Sequence, residues 1–552
     1  MSISSKLHHI RRLLVAALVL PLFGACSYIY DDGDDCDDMI TPQIATANHY
    51  INLKIVVSSG KENATRADGE GENGEANTTT TTPAGGEDGD GRETGSTREN
   101  AVKGITLFLY KDNIETGKLA FVRYYPVRLV TSEDKGKDEQ YEAVYTTGEQ
   151  SLAGSNLNLK EKYQAIVVAN RDMELTFKVG EAVKKVCDNL VTAIYNGTGL
   201  GADAEDFVMS SEKDCLIDFT DDTKVTTPSI ESENTKRVYS FDNICIQRLA
   251  ARVDFWTQSG TQSASYKTKG DGVTANYITP GYEYSVVKNN GAESKDKFVL
   301  TAVTPFNLYN GDEYLIKRLG DPTSTSAAIN YFGEEPNDYR NQPNYVLDPI
   351  LAPNTSENKS SAGVPSYMTY ALDNIIDNDG TAANIPTMTM QSFYNDENAL
   401  CKTESTGDAD NFIVCYPKEN TLFKDSPLYY YATGLRIEGD YYEKGWENWT
   451  ATETVKKNPY IQHLTYYGFL RHQGENSGNE AVYQIWSEEE LKEKREKGTL
   501  VTDLKSEFPM NFGVVRNNIY RISIDRITEK RDIQLRIVVK KWDTFTHDVI
   551  YM

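Results

Sequence analysis

The chain has 552 residues, 39% of them hydrophobic, which allows two packed domains and rules out a wholly disordered chain. Its 35 tyrosines suit half-buried strands. Its formal charge of −25 sets it against nucleic acid as a partner, because an acidic surface repels phosphates.

Residues 6–12 (KLHHIRR) are basic and residues 13–24 (LLVAALVLPLFG) are apolar. That run is too short to span a bilayer and fits a secretory signal. It ends at Gly24-Ala25-Cys26, small residues before a cysteine, in a pattern similar to a bacterial lipobox; Phe23 stands where a smaller aliphatic is usual. Residues 1–25 are therefore expected to be a lipoprotein signal peptide and Cys26 the lipidated residue. SYIYDDGDDCDD follows, and such a run of acids does not pack, so residues 26–48 are expected to form a solvated acidic tether. Asp31, Asp32, Asp34 and Asp35 lack the spacing of an EF-hand loop, so no metal site is expected there. The other cysteines are Cys36, Cys187, Cys215, Cys245, Cys401 and Cys415, with no C-x-x-C pair that would indicate zinc or a redox centre. Export permits disulfides. Cys401 and Cys415 are the pair closest enough in sequence to consider, and buried thiols are the alternative.

HYINLKIVVS (49–58) alternates with period two: Ile51, Leu53, Ile55 and Val57 share one face, and Asn52, Lys54 and Ser58 the other. It reads as a half-buried strand. From 60 to 100 the apolar pattern vanishes into Gly, Thr and acidic residues, the composition of a flexible, exposed linker. Strands resume at 102–110 (VKGITLFLY), 119–129 (LAFVRYYPVRL) and 161–172 (EKYQAIVVANRD). Residues 178–194 have helical spacing, with Val183, Val186, Cys187, Leu190 and Val191 on one face, and predict a helix covering one end of a sheet. FVMSSE, CLIDF and then ICIQRLAARVDFW (244–256) read as strands. Beyond them, strands such as YEYSVV, KFVLTAVTPFNLY, PLYYYATGLRI and LTYYGFLR are separated by long polar loops. SEEELKEKREKG (487–498) predicts a short charged helix, and VVRNNIYRISIDRI (514–527) and DIQLRIVVKKWDTF (532–545) predict two closing strands. Many strands with few helices argue for a mainly β chain of β-sandwich domains.

Nothing marks an enzyme: GxSxG, P-loop and HExxH motifs are absent from the chain. Beyond the signal, the histidines are His49, His463, His472 and His547, scattered along the sequence, and no carboxylate pair is singled out. No catalytic residue, metal or cofactor is expected.

One repetition stands out. INLKIVV (51–57) and IQLRIVV (533–539) agree at five of seven positions, and the other two exchange Asn for Gln and Lys for Arg. With the lipobox-like Cys26, the junction Arg66-Ala67, VKGITLFLY, IVVANRDMEL leading into KVGEAV, FVMSSE, LAARVDF, RNNIYRISI and IVVKKW in this order, the chain resembles the fimbrillin family, the major subunits of type V fimbriae in Bacteroidales. The resemblance implies two transthyretin-like β-sandwich domains with a few short helices, at 49–245 (containing the linker) and 246–552. It implies export as a lipoprotein to the outer membrane and a cut by a trypsin-like surface protease between Arg66 and Ala67. The strand Ile51, Leu53, Ile55, Val57 then leaves a groove, which Ile533, Leu535, Ile537 and Val539 of a neighbouring subunit fill in an extracellular fimbrium. Implied partners are further copies of the chain and anchor and tip subunits. Arg92 and Arg98 lie in the same linker, with Lys61 just before Arg66. Two alternatives stay open: a fimbrial anchor or accessory subunit that keeps its lipid, since CSYIYDDGDDC resembles the start of such anchors, and a surface glycan-binding lipoprotein using Trp446, Trp449, Tyr441 and Tyr442.

Overall fold

The computed structural model of the chain describes residues 42–57, 92–94, 99–130, 144–191, 206–227, 235–257, 282–320, 329–332, 345–349, 368–377, 411–422, 431–449, 458–472, 480–500 and 512–543. Residues 44–552 form one unit, whose fold follows; in the other, residues 1–43, only Pro42 and Gln43 are described.

β1 (His49–Val57) is followed by β2 (Arg92–Thr94), β3 (Gly104–Tyr110), β4 (Leu119–Pro126), β5 (Arg128–Leu129), β6 (Val144–Thr146), β7 (Gln150–Ser151) and β8 (Lys162–Ala169). A single helical turn, α1 (Lys184–Cys187), precedes β9 (Leu190–Val191), β10 (Met209–Ser211), β11 (Cys215–Asp218), β12 (Val225–Thr226) and the long β13 (Arg237–Arg248). Except for β2 and β9, these strands make one sheet in the order β4-β3-β8-β10-β13-β1-β6-β5, with β11 on β8, β12 on β13 and β7 on β1. All seven residues of β3 (GITLFLY) are buried, which is why its sequence is continuously apolar rather than alternating. Phe108 meets Phe177 edge-on at 5.7 Å, and Phe219 meets Tyr163, Tyr239 and Phe241 in the same manner.

The helix predicted over 178–194 shrinks to α1. Val183 stands at its N-cap and offers no side-chain acceptor, and the Asp188 N–H closes the turn on the Lys184 carbonyl. Leu190 and Val191 then pair with Glu313 and Tyr314, so a cross-strand contact from far along the chain overrides the local period. Val183, Val186, Cys187 and Val191 are buried as the spacing implied, whereas Leu190 is exposed.

The second half begins with β14 (Arg252–Trp256), β15 (Tyr282–Val287), β16 (Glu293–Phe306), β17 (Leu308–Tyr309), β18 (Glu313–Tyr314), β19 (Arg318–Gly320), β20 (Asn330–Tyr331), β21 (Tyr345–Val346) and β22 (Met368–Thr369). It continues with α2 (Leu372–Asp377), β23 (Asn411–Cys415), β24 (Asn420–Thr421), β25 (Gly434–Tyr442), β26 (Ile461–Phe469), β27 (Glu480–Gln484) and β28 (Trp486–Ser487). The chain closes with α3 (Glu488–Glu496), β29 (Gly513–Val514), β30 (Asn518–Ile527) and β31 (Ile533–Asp543). One sheet has the order β2-β31-β30-β14-β23 with β27 on β31, and another β15-β16-β25-β26-β28. Their inner faces share an apolar cluster that includes Leu435 and Ile437 from one and Ile522, Ile524 and Leu535 from the other, so the protein is mainly β with sandwich packing. The charged helix appears as predicted: Ser487 and Glu490 form a capping box that starts α3.

ICIQRLAARVDFW does not form one strand. β13 stops at Arg248, and Leu249-Ala250-Ala251 carries the chain into β14 of the next sheet, fully buried. The backbone of that crossing is satisfied by Leu249 N–H on the Val208 carbonyl, Ala251 N–H on the Pro417 carbonyl, and Asn517 N–H on the Ala250 carbonyl. Its two flanking arginines are buried as well. Arg248 donates to the Glu99 carbonyl (3.0 Å) and to Asn517 Oδ1 (3.1 Å). Arg252 grips Asp254 through two bonds (2.8 and 2.7 Å) and lies 3.3 Å from the Glu99 carboxylate, which also accepts from the Tyr416 hydroxyl at 2.8 Å.

A second buried charge cluster joins β18, β24 and β29. Arg516 donates to Glu419 (3.0 and 2.7 Å) and to the carbonyls of Leu315 (3.2 Å) and Tyr314 (2.8 Å). Glu313 stands farther off, 3.8 Å from Arg516, and its Oε2 has no hydrogen-bond partner. Burial pushes its carboxyl up to about 8, outweighing the downward pull of Arg516. The folded protein therefore holds a proton that the unfolded chain releases near 4.5, and this site's stability contribution is lost as pH rises from about 4.5 to about 8. Urea midpoints at pH 5 and pH 8.5 should fall further for the natural protein than for Glu313→Gln; equal falls would mean the proton is not held.

Candidate functional site

β1 is an interior strand. It runs parallel to β13, from His49 opposite Arg237 to Val57 opposite Ile246. Its other edge pairs antiparallel with β6 (Lys54 opposite Thr146, Ile55 opposite Tyr145) and β7 (Ile51 opposite Gln150). Between β6 and β7, Thr147 fastens Leu53: its N–H donates to the Leu53 carbonyl at 3.1 Å, and its hydroxyl accepts from the Leu53 N–H at 3.0 Å. Ile51, Leu53, Ile55 and Val57 are each 0% exposed. Four such side chains contribute about 1.5–3 kcal/mol each through burial. On the outer face, Asn52 Oδ1 accepts from the Thr146 hydroxyl at 2.7 Å, and Lys54 lies 3.1 Å from Asp242. Asp242 sits where β13 inserts an extra residue: Leu53 faces Phe241 while Ile55 faces Ile244. At the start of the strand, His49 stacks on Tyr239, and burial holds its imidazole below the usual histidine range, with Arg237 adding to the effect.

β31 is also an interior strand. It pairs antiparallel with β30, from Ile533 opposite Ile527 to Lys541 opposite Asn518. Its other edge is covered by β27 (Leu535 opposite Tyr483, Ile537 opposite Ala481) and, farther along, by β2 in parallel (Arg92 opposite Lys541). Ile533, Leu535, Ile537 and Val539 are buried. Arg536 lies 2.6 Å from Asp525, the extra residue of β30 between Ile524, opposite Leu535, and Arg526, opposite Gln534. The predicted leaving and donor strands therefore occupy separate seats in different sheets, each paired on both edges by its own chain.

Cys26, Arg66, Ala67 and Arg98 lie outside the described residues, and Arg92 lies in β2. Cys401 is likewise outside them; Cys187, Cys215, Cys245 and Cys415 form no disulfide, and burial pushes the Cys415 thiol up. Tyr441 and Tyr442 are buried, with the Tyr441 hydroxyl on Asp296 at 2.7 Å, and Trp446 packs edge-on against Tyr442 at 4.8 Å. The two tyrosines therefore present no exposed stacking platform. His463 lies 2.9 Å from Asp440, and that bond, with Glu438, raises its imidazole to about 9; His472 is buried against the Tyr520 hydroxyl at 2.6 Å. Among the described residues no cluster of His, Cys, Asp or Glu has the geometry to hold a metal, and no helix is long and apolar enough to cross a membrane. Asp242, Thr146 and Asp525 escaped sequence reasoning, because an isolated Asp or Thr gives no signal until its opposite strand is known.

No family model and no curated protein matches the chain. Solved structures it resembles include fimbrial proteins of Bacteroidales. The tip fimbrial protein of Porphyromonas gingivalis, with C-terminal truncation, is 9% identical, with 89% of this chain and 99% of that one aligned at a TM-score of 0.33. A fimbrilin of the same species is 12% identical over 91% and 99%, at 0.32. A fimbrial assembly protein of Parabacteroides distasonis is 11% identical over 89% and 95%, at 0.27.

Proposed function

We propose that this chain is a structural subunit of a type V fimbria. In this reading it is exported as a lipoprotein on Cys26 to the outer membrane and cut by a trypsin-like surface protease between Arg66 and Ala67. It is then joined to further copies and to anchor and tip subunits by strand exchange. The observation that supports it most is the seating of β1: an interior strand with four fully buried aliphatics, whose sequence is repeated in β31. Loss of β1 would bare apolar pockets and the backbone edges of β13, β6 and β7, a site that another strand of the same period fits. No catalytic role is assigned to the chain.

The pairing of β31 on both edges bears on its position in the fibre. As a donor, β31 must first be released from β30, β27 and β2, whereas a subunit that keeps its lipidated segment also keeps β1 in its seat and offers no open groove to a neighbour. N-terminal sequencing of the protein taken from cells separates the two: a polymerising subunit starts at Ala67 and an anchor at Cys26. Arg66→Ala should leave a lipidated precursor and abolish SDS-resistant ladders, as should Cys26→Ala. If Arg66→Ala, alone and together with changes at Arg92 and Arg98, gives normal fibres, activation by proteolysis is wrong.

A further inference from the structure

Aliphatics at alternate positions do not by themselves fix how a strand sits in a groove. A slip of two residues returns an aliphatic to nearly every pocket, so register needs a second signal. The outer face of β1 carries one. Asn52 meets Thr146, and Lys54 meets Asp242 at the bulge of β13. These are the two positions at which INLKIVV and IQLRIVV differ, and each difference keeps the chemistry: amide for amide, cation for cation. The seat of β31 repeats the arrangement, with Arg536 on Asp525 at a bulge of β30. In both seats an aspartate on an extra residue of the neighbouring strand faces the cation at the fourth position. A bulge re-aims the side chain it carries, which makes it a fixed marker along an otherwise uniform ladder.

We propose that the groove vacated by β1 sets the register of its incoming strand through Asp242 and Thr146, and that the occupant is β31 of a second copy, with Arg536 on Asp242 and Gln534 on Thr146. This rests on the strand-exchange reading above. Lys54 and Asp242 are each nearly half exposed, so the pair adds little affinity and serves to choose among registers. A two-residue slip would place Gln534 or Val538 at Asp242 and leave Arg536 without its partner.

The test uses the full precursor, cut with an Arg-specific protease, and labelled heptapeptides followed by fluorescence anisotropy. IQLRIVV and INLKIVV should both exchange into the groove. The peptide with Arg536→Glu should bind about three- to tenfold more weakly, and Asp242→Lys in the protein should reverse that preference. The peptide with Leu535→Asp should not bind. If the Arg536→Glu peptide binds as well as IQLRIVV to both proteins, Asp242 does not read the strand, although exchange stands. If IQLRIVV itself fails to bind cut protein that still melts cooperatively, the exchange reading fails and this inference with it. Asp242→Lys at an exposed site should leave the thermal midpoint of the uncut precursor within a few degrees of the natural one; the peptide with Gln534→Ala on unaltered protein should show a weaker loss and checks Thr146 independently.

Discussion

Replacing Leu535 and Ile537 together with aspartate should unfold the second half of the isolated chain. The fimbrillin resemblance implies a milder result, a cut monomer unable to donate, because it makes IQLRIVV the strand that fills a neighbour's groove. The structure seats both side chains in their own subunit, at 2% and 3% exposure. Leu535 presses on Gly468 of the facing sheet so closely that a Cβ there would lie 2.9 Å from its Cδ1. Each substitution forfeits about 1.5–3 kcal/mol of apolar burial and adds the several kcal/mol cost of a carboxylate without a partner. Two such changes consume most of the roughly 5–15 kcal/mol that holds a domain together. Circular dichroism melts of the purified precursor check this; a double variant that melts like the natural protein would show that β31 lies outside its own core.

Arg516→Leu should cost about 3–5 kcal/mol, because it strips the donors from Glu419 and from the Leu315 and Tyr314 carbonyls while leaving them buried. The combined change Arg516→Leu, Glu419→Leu, Glu313→Gln should recover most of that loss, since removing a whole buried ionic cluster is often close to neutral. Urea unfolding of the two variants gives the comparison. A single variant as stable as the natural chain would mean that water reaches the cluster.

The strands were legible wherever one face alone is buried. β1 and β31 alternate because their outer positions, Asn52 and Lys54 or Gln534 and Arg536, face away from the core. The capping box of α3 was legible because Ser487 and Glu490 are local to each other. What failed depended on distant partners. Leu249-Ala250-Ala251 prolongs an apolar run and looks like strand, yet it is a crossing between sheets whose hydrogen bonds go to Val208, Pro417 and Asn517. Arg248 and Arg252 look like surface residues until Glu99, far earlier in the chain, is placed between them. Of the candidate site, the apolar half was visible as a repeated heptapeptide; its polar half was not, because Thr146 and Asp242 acquire meaning only from the register that brings them to β1.

The parallel pairing of β1 with β13 also sets an order of events in time. Parallel neighbours cannot be joined by a tight turn, and here His49 waits for Arg237 while everything between them is made and moved. Long-range closure of this kind is slow, because the entropy of bringing the ends together is spent before any contact repays it. The strands β3, β4, β8, β10, β11, β12 and β13 can assemble first, leaving a seam along β13, and β1 enters last, bringing β6, β5 and β7 onto its other edge. The folding chain therefore passes through a state with its seam open and its first strand free. Under the strand exchange proposed above, that open seam is also the geometry the finished molecule would need to regain.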